Sequence, residues 1–127
     1  WQDVSDPVER VFALLDFYRR AIVGTDCQYG CPIGSLALEL HDADPVVRER
    51  LAQNFTNWVD AVEECFRAAE HRFVPGTDFR GLAELALNVM EGGVMQARTY
   101  RDVTHFDRAV AQLRTFVERM MVREEAA

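Results

Sequence analysis

Apolar residues recur along this chain at spacings of three and four, and no stretch alternates at two, so the pattern predicts helices and no strand. The first helix runs Pro7–Val23. Asp6 suits its N-cap, Pro7 its first position and Glu9 its first turn, while Val8, Val11, Phe12, Leu15, Tyr18 and Ile22 face inward. Gly24 is placed to stop it, and Thr25–Gly30 is a loop. A short second helix within Gly30–Leu40 begins at Pro32 and turns Ile33, Leu36, Ala37 and Leu40 inward. His41–Pro45 breaks it, Asp44 caps a third helix from Pro45, and that helix reaches about His71. Its inner stripe is Val47, Leu51, Phe55, Trp58, Val62, Cys65 or Phe66, and Ala69. Arg48, Glu49, Gln53, Asn57, Asp60, Glu64 and Arg67 make an ordinary solvated face. Phe73–Thr77 is a turn, Thr77 or Asp78 caps a fourth helix, and Arg101–Thr104 is a second turn. The last helix, His105 to about Arg123 with Thr104 as its cap, carries Phe106, Ala109, Val110, Leu113, Phe116, Val117, Met120 and Met121.

The fourth helix, within Asp78–Arg101, departs from the single apolar face of an ordinary surface helix. Leu82, Ala86, Val89, Gly93, Gln96 and Tyr100 form one stripe. Ala83, Leu87, Met90, Val94 and Ala97 form a second beside it, and Leu85, Gly92 and Met95 widen the arc. Such a helix needs neighbours on two sides, one from its own chain and one from elsewhere; the alternative is a core helix buried within a monomer. Gly92-Gly93 in its middle costs about 1 kcal/mol per glycine relative to alanine, which is tolerable where another backbone comes close. The expected architecture is all-α, five helices, with the last two antiparallel and pairing with their copies in a symmetric dimer as a four-helix bundle.

Length and charge narrow the function classes. The 127 residues suffice for one domain with one core, spanning 1–127. The first residue is Trp1 rather than Met, which predicts a fragment or a processed product, and the first apolar run, interrupted by Asp3, Asp6 and Glu9, does not resemble a signal peptide. No apolar run is long enough to span a membrane. The formal charge is −7, and all 14 basic residues are arginine with no basic cluster. A duplex binder needs cations to neutralise phosphates, so this segment by itself is not expected to bind DNA.

The order GCPIGSLALEL, then VVRERLAQNFTNWVDAVEECFRAA, then LAELALNVMEGGVMQAR resembles the C-terminal regulatory domain of the TetR/AcrR family of bacterial repressors. The residues that carry the likeness are Gly30-Cys31, Arg48-Leu51-Phe55-Trp58, Glu91-Gly92 and Ala97-Arg98, with Ser35 standing where many members carry Asn. The family places a helix-turn-helix domain ahead of this region, which is absent from this sequence. The resemblance implies a cytoplasmic, non-enzymatic effector-sensing and dimerisation domain with no cofactor. Its partners would be a second copy, a small hydrophobic effector, and operator DNA only through the absent domain. The pocket would be lined by Phe12, Leu15, Arg19, Phe55, Trp58, Val62, Phe66, Leu87, Met90 and Met95, with Arg19, Asn88, Glu91 and Gln96 as polar anchors. The dimer seam would use Val89, Gly92, Gly93, Gln96, Tyr100, Leu113, Phe116, Val117 and Met120.

Two other classes compete. Cys27 and Cys31 stand four apart, with Cys31 at a helix start that would lower its pKa, as a helical thiol redox enzyme would need. Such enzymes more often space their thiols as C-x2-C, and Cys65 lies on an apolar stripe. The histidines His41, His71 and His105 are scattered without metal-ligand spacing, and Ser35 lacks a nucleophile-elbow setting. The last class is a dimerisation scaffold with a closed core and no ligand.

Overall fold

The computed structural model describes residues 3–39 and 44–123. Over them the chain forms α1 (Pro7–Gly24), α2 (Pro32–Glu39), α3 (Pro45–Ala68), α4 (Phe79–Tyr100) and α5 (Thr104–Met120), with one 3-10 turn at Glu70–Arg72. Trp1, Leu40, the break at 41–43 and the acidic tail at 124–127 lie outside the described residues. Among the described residues no helix is long and apolar enough to cross a membrane.

α1, α3, α4 and α5 each begin where a carboxylate accepts from first-turn N–H groups, which have no partner inside the helix. Asp6 Oδ1 accepts from Val8 N at 2.9 Å and Glu9 N at 3.3 Å. Asp44 accepts from Val46 N at 2.8 Å, and Asp78, rather than Thr77, accepts from Gly81 N at 2.9 Å. At α5 the expected cap is replaced by its neighbour. Thr104 is already helical, and Asp102 Oδ1 accepts from its amide at 3.0 Å and its hydroxyl at 2.8 Å. The end of α1 also differs from expectation. Gly24 stays helical, the Thr25 hydroxyl donates to Ala21 O at 2.9 Å, and Asp26 (φ 52) and Cys27 (φ 60) make the left-handed turn. Arg101 (φ 56) ends α4 in the same region, and its guanidinium donates to Cys27 O at 2.8 Å, tying the two turns together. Few non-glycine residues adopt that conformation, so both turns depend on such contacts.

The hub is α4, which packs against α5, α3 and α1. Its sequence sorts into three faces. Phe79, Leu82, Ala83, Ala86, Met90, Gly93, Val94 and Ala97 are buried in the core with Leu15 and Ile22 of α1, Val62 and Phe66 of α3, and Phe106, Leu113 and Val117 of α5. Each large side chain taken out of water here contributes about 1.5–3 kcal/mol. Phe66, Phe73 and Phe79 meet edge to face at 6.0 and 5.2 Å and close the end of the core. Beside them Phe73 pairs with Met121 in one antiparallel bridge, with Val74 N donating to Met120 O at 2.9 Å.

The other two faces of α4 are an outer one, with Leu85, Val89, Gly92, Gln96 and Tyr100, and one turned toward α2. Gly93 corrects the expected seam. A Cβ there would lie 2.8 Å from the Phe106 ring, so its missing side chain admits α5 of the same chain. Leu113 and Val117 are likewise buried under their own chain. What stays exposed is Leu85, Gln96 and Tyr100 of α4 and Phe116 of α5, with half-buried Val89, Gly92 and Met120 beside them, a largely apolar strip along both helices.

Candidate functional site

A cavity of 1040 Å³ lies between α2, α3 and α4. Sites for small molecules run roughly 300–1,000 Å³. One wall is Phe55, Thr56 and Val59 of α3, and the other is Glu84, Leu87, Asn88, Glu91, Gly92, Val94 and Met95 of α4, with Arg80, Arg98, Thr99 and Arg101. Gly30, Cys31, Gly34, Ser35, Ala37, Leu38 and Glu39 form the roof.

The roof is held unlike any other helix. α2 buries none of its residues. It approaches α4 through two glycines: a Cβ on Gly34 would overlap the Glu91 carboxylate, and one on Gly30 would lie 2.8 Å from Arg98 Nη1. So this segment meets α4 over two charged side chains seven residues apart, while Ile33 lies against the core and α2 packs on α3, and space remains beneath it.

The polar chemistry gathers at the start of α2. The Cys31 sulfur faces the Ile33 and Gly34 amides, which favour its thiolate, and the Glu91 carboxylate, which favours its thiol. Burial pushes the Cys31 thiol above its ordinary pKa, and the Glu91 carboxylate adds to the rise. This reverses the sequence expectation. The helix N-terminus does favour the thiolate, but desolvation and the adjacent carboxylate outweigh it. A thiol held protonated as a donor is a poor nucleophile, and Cys27, Cys31 and Cys65 are all free. Burial also raises the pKa of Glu91, opposed by the Cys31 hydrogen bond. Tyr18 and Tyr29 are raised by burial too, and both feel the Glu91 charge. Trp58 Nε1 donates to Tyr18 Oη at 3.2 Å.

The arginines differ in their commitments. Arg80 is engaged by Asp60, Glu63 and Glu84. Arg101 donates to the carbonyls of Cys27 and Arg98. Among the described residues Arg98 forms no ion pair.

Of the residues the sequence pointed to, Phe55, Leu87, Asn88, Glu91 and Met95 meet at this cavity. Leu15, Val62, Phe66 and Met90 do not: they are close to fully buried in the core, where neighbouring helices fill the space around them. Trp58 is half-buried between α3 and α1, where its indole finds the Tyr18 hydroxyl instead of the cavity. Phe12 and Arg19 belong to a second cavity of 440 Å³ between α1 and α5. There Arg19 Nε donates to Asp107 at 2.8 Å, Arg114 Nη1 donates to Glu9 at 2.8 Å, and the Arg114 guanidinium lies 4.0 Å from the Phe12 ring centroid. These are clamps between helices. Gln96 is exposed on the outer face of α4. Gly34, Val59 and Thr56 went unnoticed as wall residues. No local pattern marked the roof, because Gly30 precedes α2 and the two glycines meet α4 side chains only in the tertiary structure.

Residues 7–113 match the family described as tetracyclin repressor-like, C-terminal domain. Two HTH-type transcriptional regulators from Mycobacterium tuberculosis strains CDC 1551 and H37Rv are each 34% identical over 116 residues, covering 87% of this chain and 58% of their own length. The chain therefore spans under two thirds of the curated relatives it matches. A TetR transcriptional regulator from Chloroflexus aurantiacus superposes with a TM-score of 0.78 at 26% identity, over 93% of this chain and 61% of the other. The regulatory protein TetR from Rhodobacter sphaeroides gives 0.81 at 18% identity, over 92% and 61%, a likeness of fold.

Proposed function

Since the chain belongs to the tetracyclin repressor-like family of transcriptional regulators, as its C-terminal domain, we propose that it is the effector-sensing and dimerising part of a DNA-binding repressor. Regulators of this type are not enzymes, and the protonated thiol donor at Cys31 accords with that. The observation that carries the sensing role is the 1040 Å³ cavity under α2. A closed core would have favoured a bare scaffold.

The roof joins the cavity to α1 through the Thr25–Cys31 segment, where Tyr29 lies 6.5 Å from the Tyr18 ring, ring to ring. An effector that fits only one position of α2 would shift α1 and whatever precedes it, by exactly its preference for that position. Operator contact would come from a helix-turn-helix segment of a longer, cytoplasmic protein. The net charge of −7 on this chain works against attraction to phosphates. The strip formed by Leu85, Val89, Gln96, Tyr100, Phe116 and Met120 would pair with its copy about a two-fold axis, burying at least ~1,000 Å².

The test is a thermal-shift screen with a broad library of small apolar and amphipathic compounds, on the chain and on a Leu87→Trp variant that fills the cavity. A saturable rise in melting temperature that the variant loses is the expected result. No hit, or hits untouched by the variant, would leave the scaffold reading. Trp58, next in the chain to the wall residue Val59 and bonded to Tyr18, should report the same event as a fluorescence change.

A further inference from the structure

We infer that this cavity takes a lipophilic organic cation, with Glu91 recognising the charge and Phe55, Val59, Leu87 and Met95 receiving the apolar body. The inference rests on the cavity being the effector site and gives the effector a chemical class.

The reason lies in what Glu91 lacks. An ionised carboxylate offers about four acceptor positions. Among the described residues Glu91 forms no ion pair, and the polar group facing it is the Cys31 thiol. Arg80 is spent on Asp60, Glu63 and Glu84, and Arg101 on two backbone carbonyls. Arg98, two turns along the same helix, packs over Gly30 at the exposed rim, where water screens it. The titratable groups that face Glu91 from the packed elements are Cys31 and Tyr29 from the segment before α2 and Tyr18 from α1. Burial keeps all three protonated and uncharged at neutral pH, so none supplies a counter-charge.

A half-buried carboxylate beside apolar walls has two remedies, a proton or a bound cation. A cation with an apolar body would close the space and displace the water that weakens the attraction. An anion would face Glu91 with the wrong sign, and an uncharged ligand would bury the carboxylate unpaired. Gly34 is part of the device. Its missing side chain leaves the room beneath α2 that the carboxylate occupies.

The probes are tetraphenylphosphonium and tetraphenylborate, nearly the same shape with opposite charge, titrated calorimetrically into the 127-residue chain at pH 7.5. The phosphonium should bind saturably and about tenfold or more tighter than the borate. Glu91→Gln should weaken phosphonium binding about tenfold and remove the preference, while Glu49→Gln on the outer face of α3, the same loss of charge, should change it less than about twofold. Gly34→Ala, whose methyl would push the carboxylate aside, should act in the direction of Glu91→Gln and carries the test if that variant fails to fold. Equal or tighter borate binding, or phosphonium affinity indifferent to both variants, would overturn the cation class. Uncharged Nile red separates the two readings. If it binds saturably and Leu87→Trp abolishes this, the effector cavity stands even when the cation preference fails. If Nile red and both ions fail to bind, the cavity reading falls and takes the inference with it.

Discussion

Among the elements that meet α4, α5 and α2 do so by opposite means. α5 sends Phe106, Leu113 and Val117 into the core, and Gly93 lets the Phe106 ring lie against the backbone of α4. α2 buries none of its residues fully: Ile33 lies half-buried against the core, the helix packs on α3, and toward α4 the chain sets Gly30 and Gly34 on Arg98 and Glu91. Glycine serves both contacts. In the first it admits an aromatic ring, and the seam is held by buried apolar area. In the second it admits the heads of charged side chains, and the seam stays open to replacement by a ligand. On the proposed function both are needed, because α2 could shift with an effector only if the body it moves against stays fixed.

The largest way to break this contrast is Phe106→Ala. It should cost about 3–5 kcal/mol in urea unfolding, as large aromatic deletions from packed cores do. Ile33→Ala on half-buried α2 should cost less than about 1 kcal/mol. Comparable costs would mean that α2 is as integral as α5.

Next in size is the neighbouring pair of glycines. Gly93→Ala must displace the Phe106 ring and should destabilise by about 1–3 kcal/mol. At Gly92 nothing lies within 4 Å of an added Cβ. Gly92→Ala should therefore stabilise the isolated chain by about 0.5–1 kcal/mol through helix propensity. If it instead weakens a dimer seen by light scattering, Gly92 is the glycine at the contact between subunits.

Hydrogen exchange sharpens the comparison without mutation. Amides of Ser35–Glu39 should exchange well ahead of those of Val89–Val94, and a cavity ligand should slow the α2 set most. Uniform protection across both helices would contradict the roof reading.

The smallest effect is electrostatic, and its sign differs between two carboxylates. Burial raises the Glu91 pKa, so its contribution is present below the ordinary glutamate value of 4.5 and is lost as pH rises through the raised value. The Arg72 hydrogen bond, aided by the α1 amides, lowers that of Asp6, whose contribution is present above the ordinary 3.8 and is lost as pH falls. Glu91→Gln should therefore gain on the parent as pH rises from 4 to 7, and Asp6→Asn should lose on it over the acid range. Parallel pH–stability curves for Glu91→Gln and the parent would remove the buried carboxylate from the account.

The local architecture was legible along the chain. Asp6-Pro7 and Asp44-Pro45 start α1 and α3 where proline geometry and a capping carboxylate demand it, and the apolar spacing marked all five helices. That α4 needed more neighbours than one also followed from its sequence, because an arc so apolar cannot face water. Which neighbour took which side was settled only by the fold. Gly93, Leu113 and Val117 share periodicity with residues that stay outside, and the rotation of α4 against α5 decides between them. The cavity was half legible, through Phe55, Leu87, Asn88, Glu91 and Met95. Phe66 and Met90 read the same way yet fill the core. Hydrophobic period reports that a position is turned inward, whereas a void arises from how far apart three helices stand. Here that distance is set by contacts remote in sequence, Gly34 on Glu91 and Gly30 on Arg98, which no local pattern contains.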